Sequence, residues 1–196
     1  MLIAIDLDEI LAETLEGVIL FHNKTYDTAL STKDFHSYRW WEVWGGTREE
    51  AVNKFLQFTK SDFFKKLLPF KDAVDAVSLL AQKHELIVLT SRQTELETET
   101  REWIKKYFPN KFKSVHVLNH ADWATKGKTL TKKEVCKKLG VNVLIEDNLD
   151  YANECAAENV KAFLINYPWN KGECNKGVTR VNSWEEIVNN PIFKAE

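Results

Sequence analysis

Cysteine is scarce in this chain: Cys136, Cys155 and Cys174 are the three among 196 residues. They are odd in number and too widely spaced for a zinc knuckle, a pattern that fits a reducing compartment. Net charge is scarce as well. The 27 Lys and Arg stand against 29 Asp and Glu, a formal charge of −2, so there is no basic footprint for a nucleic-acid polymer. Lysine pairs such as Lys65-Lys66, Lys105-Lys106 and Lys132-Lys133 read as solvated helix faces. No apolar run approaches the roughly twenty residues of a membrane span. The opening Met1-Leu2-Ile3-Ala4-Ile5-Asp6 enters a strand at once, so no signal peptide is expected and the cytoplasm is the default location. Internal repeats and low-complexity segments are lacking too. The length suits one core domain with a small insertion.

What the chain does contain is an alternation of short β-branched runs with amphipathic stretches. Strands are expected at Leu2–Ile5, 86–89, 115–118, 143–145 and Lys161–Ile165. Ala73, Val77 and Leu80 line one helical face before the second strand, and Leu96, Thr100, Trp103, Ile104 and Tyr107 another after it. Thr131-Lys132-Lys133-Glu134 is a capping box that opens a further helix. Strand and helix alternation of this kind predicts an α/β fold, a doubly wound parallel sheet of about five strands covered on both faces.

One interval breaks the rhythm. About eighty residues separate the first two strands, far more than a crossover helix requires. They contain helical patterns over Thr14–Tyr26 and over 47–58, and an aromatic-rich turn from Phe35 to Gly46. This predicts a small helical cap over residues 13–71, inserted into a core made of 1–12 and 72–196.

The candidate site lies where strands end. The first strand runs into Asp6 and Asp8, and alternation along an extended chain points both to one side. In an open α/β sheet, ligands bind at the carboxyl ends of the strands. Two converging carboxylates there suit a nucleophile, a proton shuttle and a hard-cation site. The second strand ends in Thr90-Ser91-Arg92, whose hydroxyls and following amides can hold a phosphoryl oxygen. The fourth ends in Glu146-Asp147, which a doubly wound sheet would bring beside the first strand. Carboxyls crowded in this way repel one another unless a cation such as Mg²⁺ joins them. Lys132 stands on the first turn of its helix, where a cation opposes the dipole and needs anionic company.

These four landmarks together resemble the haloacid dehalogenase-like hydrolase superfamily over essentially the whole chain. Asp6-Leu7-Asp8 is similar to its first motif, Thr90-Ser91 to the second, Lys132 to the third and Glu146-Asp147 to the acidic fourth. The small cap, the Thr-Ser-Arg version of the second motif and Tyr167-Pro168-Trp169-Asn170 most resemble the 5′(3′)-deoxyribonucleotidase-like branch. Glu9 stands where that first motif often has glycine, and Glu146 where the branch commonly has aspartate.

The resemblance implies a Mg²⁺-dependent phosphomonoester hydrolase. Asp6 would attack phosphorus to form an aspartyl-phosphate, and Asp8 would protonate the leaving oxygen and later activate water. Thr90, Ser91 and Lys132 would hold phosphoryl oxygens. The Asp6 carboxylate, the Asp8 backbone carbonyl and Asp147 would hold the metal. The expected partner is a small phosphorylated metabolite, with a nucleoside monophosphate favoured, deoxyribonucleotides first. A phosphatase for sugar phosphates and a catalytically silent phospho-ligand binder on the same fold are the alternatives. Trp40, Trp41 and Trp44, three tryptophans within five positions, either stack on a nucleobase or build the core of the cap. Trp169 is a candidate of the same kind, and Arg92 either touches substrate or lies at the surface. Asp150 has no assigned part, and His22, His36 and His120 lack metal-ligand spacing.

Overall fold

The computed structural model describes residues 1–119 and 130–194. Its strands are β1 (Leu2–Ile5), β2 (Glu85–Thr90), β3 (Ser114–Val117), β4 (Val143–Glu146), β5 (Lys161–Ile165) and β6 (Val178–Val181). They form one sheet in the order β3-β2-β1-β4-β5-β6, every neighbouring pair parallel. The helices are α1 (Thr14–Tyr26), α2 (Trp41–Trp44), α3 (Arg48–Thr59), α4 (Asp62–Lys65), α5 (Lys71–Leu80), α6 (Glu97–Tyr107), α7 (Lys132–Leu139), α8 (Leu149–Ala157) and α9 (Trp184–Val188). None of the helices among the described residues is long and apolar enough to cross a membrane.

Alternation along the strands divides the core into two layers. Ile3, Ile5, Leu86, Val88, Val143 and Ile145 pack on one face with α5, α6 and α9. Ala4, Ile87, Leu89, Leu144, Ala162 and Leu164 pack on the other with α7 and α8. Because both faces are covered, the strands read as continuous apolar runs. The expected doubly wound sheet is present, with one strand more than the expected five. β6 was not legible because Val178-Thr179-Arg180-Val181 is short, lies on the sheet edge and is mostly half-buried.

The insertion after β1 is helical. The chain leaves the sheet at Ala12 and returns at Pro69, and these two crossing points pair with each other. Glu13 N donates to Leu68 O at 3.0 Å, and Phe70 N to Leu11 O at 2.9 Å. Beyond that neck, α1, α3 and α4 enclose Val18, Phe21, Phe55, Phe58, Phe64 and Leu67. A second small cluster joins Leu15, Ile19 and Phe35. The insertion therefore has an aromatic core of its own, seated over the carboxyl end of β1.

Candidate active site

β1 and β4 are paired, with Ile5 opposite Ile145, so the residues following them emerge side by side. Asp6 N is fixed to Ile145 O at 3.0 Å. As a result the carboxylates of Asp6, Glu146 and Asp147, all buried, place ligand atoms within 4.8 Å of one another. Lys132 reaches them from the first turn of α7. Its Nζ lies 2.5 Å from Asp6 Oδ1 and 2.7 Å from Glu146 Oε2, in a side chain only 2 % exposed. Here is the anionic company that a lysine at a helix N-terminus required.

Both oxygens of Glu146 are engaged. Its Oε2 accepts from Lys132, and its Oε1 accepts the backbone amides of Asp147 and Asn148, each at 3.1 Å. Asp147 is held from outside the motifs. Trp169 Nε1 donates to its Oδ2 at 2.9 Å, Asn170 Nδ2 donates to its carbonyl at 2.6 Å, and the Tyr38 hydroxyl donates to the same carbonyl. Arg180, on the edge strand β6, fixes Asn170 in turn through Oδ1 at 2.7 Å and its carbonyl at 2.9 Å. Single polar residues carry no periodic signal, so nothing in the sequence marks Tyr38 or Arg180 as part of the site, and Asn170 is marked only as the end of the Tyr167-Pro168-Trp169-Asn170 segment.

The charges follow from this crowding. Burial, only partly offset by Lys132, pushes the Asp6 carboxyl up to about 7. Burial and then Glu146 and Asp6 push Asp147 upwards as well. For Lys132 burial opposes the charge, but Asp6 and Glu146 outweigh it and raise its proton affinity. One ammonium among three buried carboxylates leaves anionic charge over. All the donors are hard oxygens, so the set suits a magnesium-type cation.

Asp8 lies apart from that cluster. Burial alone would raise its carboxyl, but the Arg92 guanidinium and the hydroxyl of Thr14 hold it below its ordinary value. Arg92 is itself buried, donating to Asp8 and, through Nη1, to Thr100 Oγ1 at 3.2 Å. Its donors thus serve Asp8 and α6, although it also lines the cavity. Glu9 has φ +59°, in the left-handed region, where the often-seen glycine would be unstrained. Its Oε1 accepts the Leu15 amide at 2.6 Å at the start of α1, a contact glycine could not make.

A cavity of about 720 Å³ opens above these groups, between the sheet and the insertion. Asp6, Asp8, Thr90, Ser91, Lys132, Glu146 and Asp147 all line it, which brings the polar residues of the four motifs to one place. The Ser91 Oγ has no hydrogen-bond partner among the described residues. Trp40, Trp41 and Trp169 line the cavity too, as does His36. Trp44 turns into the insertion, its ring stacked on His22 at 5.0 Å. Trp40 serves both ends, packing against Phe55 at 5.5 Å. Asp150 sits exposed at the cavity rim, and His120 lies outside the described residues.

The model of a protein family described as 5′ nucleotidase, deoxy (pyrimidine), cytosolic type C matches residues 1–195. The chain belongs to that family. It is thereby a nucleotidase-family phosphatase within the haloacid dehalogenase-like hydrolases. Among curated relatives, a nucleotidase of Clostridium acetobutylicum is 25 % identical over 186 residues, 94 % of this chain and 90 % of the relative. The 5′(3′)-deoxyribonucleotidase of Bacillus subtilis is 26 % identical over 187 residues, 94 % of this chain and 95 % of the relative. Among solved structures, a predicted phosphatase of Clostridium acetobutylicum superposes with a TM-score of 0.67 at 19 % identity, covering 99 % and 98 % of the two chains. The HAD-hydrolase YfnB of Bacillus subtilis, bound to magnesium, gives 0.64 at 17 %, with the same two coverages. At those identities the structures speak for the shared fold.

Proposed function

We propose that this nucleotidase-family chain hydrolyses the phosphomonoester of a nucleoside monophosphate, with deoxyribonucleotides preferred, through an aspartyl-phosphate on Asp6. The observation that carries the reading is the convergence of Asp6, Asp8, Thr90, Ser91, Lys132 and Asp147 on one cavity beneath an aromatic insertion. Residues 13–71 act as its cap, and the scarcity of cysteine together with the family's cytosolic type favours the cytoplasm.

Phosphoryl transfer asks mainly for positioning and charge neutralisation. Lys132 holds Asp6 Oδ1, which fixes the carboxylate for attack through its other oxygen. As the Asp6 O–P bond forms, the P–O bond to the nucleoside breaks, and Asp8 gives a proton to the departing oxygen. Asp8 then takes a proton from water, whose oxygen attacks the phosphoryl group and releases Asp6 and inorganic phosphate. Thr90 Oγ1 and Ser91 Oγ stand at the end of β2 to hold the phosphoryl oxygens. Asp6, the Asp8 carbonyl and Asp147 would bind Mg²⁺, with Glu146 held close by as the counter-ion of Lys132. When bound, that ion supplies positive charge to the phosphoryl oxygens.

The test is phosphate release from nucleoside monophosphates, sugar phosphates and an aryl phosphate, with Mg²⁺ and with chelator. Asp6→Asn should abolish turnover of all of them. Turnover by Asp6→Asn equal to the parent's would remove Asp6 as nucleophile. A lower kcat/KM for every nucleotide than for simple sugar phosphates would replace the nucleotide reading with a general phosphatase.

A further inference from the structure

Gln93 is the anomaly of the cavity wall. It is 7 % exposed, and among the described residues neither Oε1 nor Nε2 of its carboxamide has a hydrogen-bond partner. Its backbone is well placed: the carbonyl accepts from Leu96 N at 3.0 Å, at the start of the short helical turn Thr94–Leu96. Burying an amide without partners costs stability, and an apolar side chain would avoid that cost. Violations of this kind concentrate at sites built for a ligand. Gln93 follows the phosphoryl-holding pair Thr90-Ser91 by two residues and lines the same cavity as Trp40, Trp41 and Phe55.

The chemistry of a carboxamide narrows what it awaits. It presents an acceptor and a donor side by side in one plane. A phosphate oxygen can only accept and would leave Oε1 stranded. A sugar hydroxyl meets one of the two atoms at a time. The edge of a nucleobase presents a donor and an acceptor side by side and satisfies both atoms at once. A carboxamide turned over about its last bond serves either order of the two. The aromatic rings elsewhere on the wall of the same cavity supply flat apolar faces for the rest of the base. We propose that Gln93 is the specificity-determining residue of this site, its carboxamide pairing with the hydrogen-bonding edge of the substrate's nucleobase. The inference rests on the nucleotide reading above.

The experiment compares kcat/KM for deoxyuridine monophosphate with that for 2-deoxyribose 5-phosphate, which keeps the sugar and phosphate but lacks the base. In the parent enzyme the nucleotide should be the better substrate. Gln93→Leu should shrink that advantage at least tenfold, since a site built to hydrogen-bond its substrate discriminates strongly through those bonds. Its melting temperature should match or exceed the parent's, because a stranded polar group has been replaced by hydrocarbon. Gln93→Met, close in shape, repeats the comparison should the leucine variant fold poorly. An unchanged ratio, or equal loss on both substrates with a lowered melting temperature, overturns the assignment and leaves the nucleotide reading intact. A parent enzyme with no preference for the nucleotide overturns both.

Discussion

Arg92 grips Asp8 by both carboxylate oxygens, with Nε 2.9 Å from Oδ2 and Nη2 2.6 Å from Oδ1. The same guanidinium bonds Thr100 on α6 and lies 5.1 Å from the ring of Phe64 in the insertion, so one side chain ties together the sheet end, a flanking helix and the insertion. The fork holds Asp8 in one orientation and favours its charged form. In the proposed mechanism a leaving alkoxide needs Asp8 protonated, and an incoming phosphoryl group, negatively charged, would push it back in that direction. Arg92→Met should therefore lower kcat for alkyl phosphates by about tenfold or more, since misplacing a catalytic group is costly. Arg92→Lys, which restores charge but not the fork, should recover only part of the loss. Full activity in Arg92→Met would show that Thr14 alone suffices to hold Asp8.

The proton role proposed for Asp8 can be separated from its charge by choice of leaving group. Asp8→Asn should depress turnover of alkyl phosphates about a hundredfold or more, and of nitrophenyl phosphate much less, since nitrophenolate leaves without a proton. In the parent enzyme, kcat for alkyl substrates should fall on an alkaline limb as Asp8 loses its proton in the complex. Equal damage to both substrate classes would assign Asp8 to charge or geometry alone.

The sheet and the four motif landmarks were legible because each is written in a local pattern. Apolar runs such as Leu86-Ile87-Val88-Leu89 are buried on both faces, and the capping box at Thr131 forms as read, Glu134 N donating to Thr131 Oγ1 at 3.1 Å. Neighbouring strands then decide the rest: once β4 lies beside β1, Asp147 has to approach Asp6. What could not be read depends on residues distant in sequence with no pattern of their own. Arg180 reaches Asp147 only through Asn170, and Tyr38 only by folding of the insertion over the sheet. The tryptophans divide for the same reason. Composition cannot say that Trp41 faces the cavity while Trp44 stacks on His22.

That stacked histidine should make the insertion sensitive to acid. His22 is 2 % exposed; its Nε2 lies 3.3 Å from Lys54 Nζ and its Nδ1 2.8 Å from Thr28 Oγ1. An ammonium can only donate, so Nε2 accepts and Nδ1 carries the proton. Burial first, and then the Lys54 charge, push the imidazole down to about 4 from 6.5. The folded form stays neutral in that window while the unfolded chain binds a proton, so stability rises with pH there. The contribution is complete above about 6.5 and is lost as pH falls towards 4. Melting temperature should thus drop more steeply between these values in the parent than in His22→Gln. Lys54→Met should give an intermediate slope and a higher His22 titration midpoint by NMR. Identical slopes in all three proteins would show that His22 titrates normally.

The carboxylate cluster should reveal itself in stability as well as turnover. With Asp6, Glu146 and Asp147 within 4.8 Å and Lys132 their ammonium partner, repulsion remains that a divalent cation would relieve. A ligand that binds only the folded form stabilises by mass action, about 2.7 kcal/mol at a hundred times its Kd. For a chain of this size that corresponds to a rise of roughly 5–10 °C in melting temperature. Mg²⁺ added to chelator-treated protein should produce such a rise. Asp147→Asn should do two opposite things: raise the melting temperature in chelator, by removing one repelling charge, and abolish the Mg²⁺ increment. Asn148→Ala provides the contrast, because its side chain caps α8 by accepting Asp150 N at 2.9 Å and Tyr151 N at 3.2 Å. Losing that cap should cost about 1 kcal/mol equally in both buffers and leave the increment intact. A full Mg²⁺ increment in Asp147→Asn would mean that the ion stabilises the protein from somewhere other than this cluster.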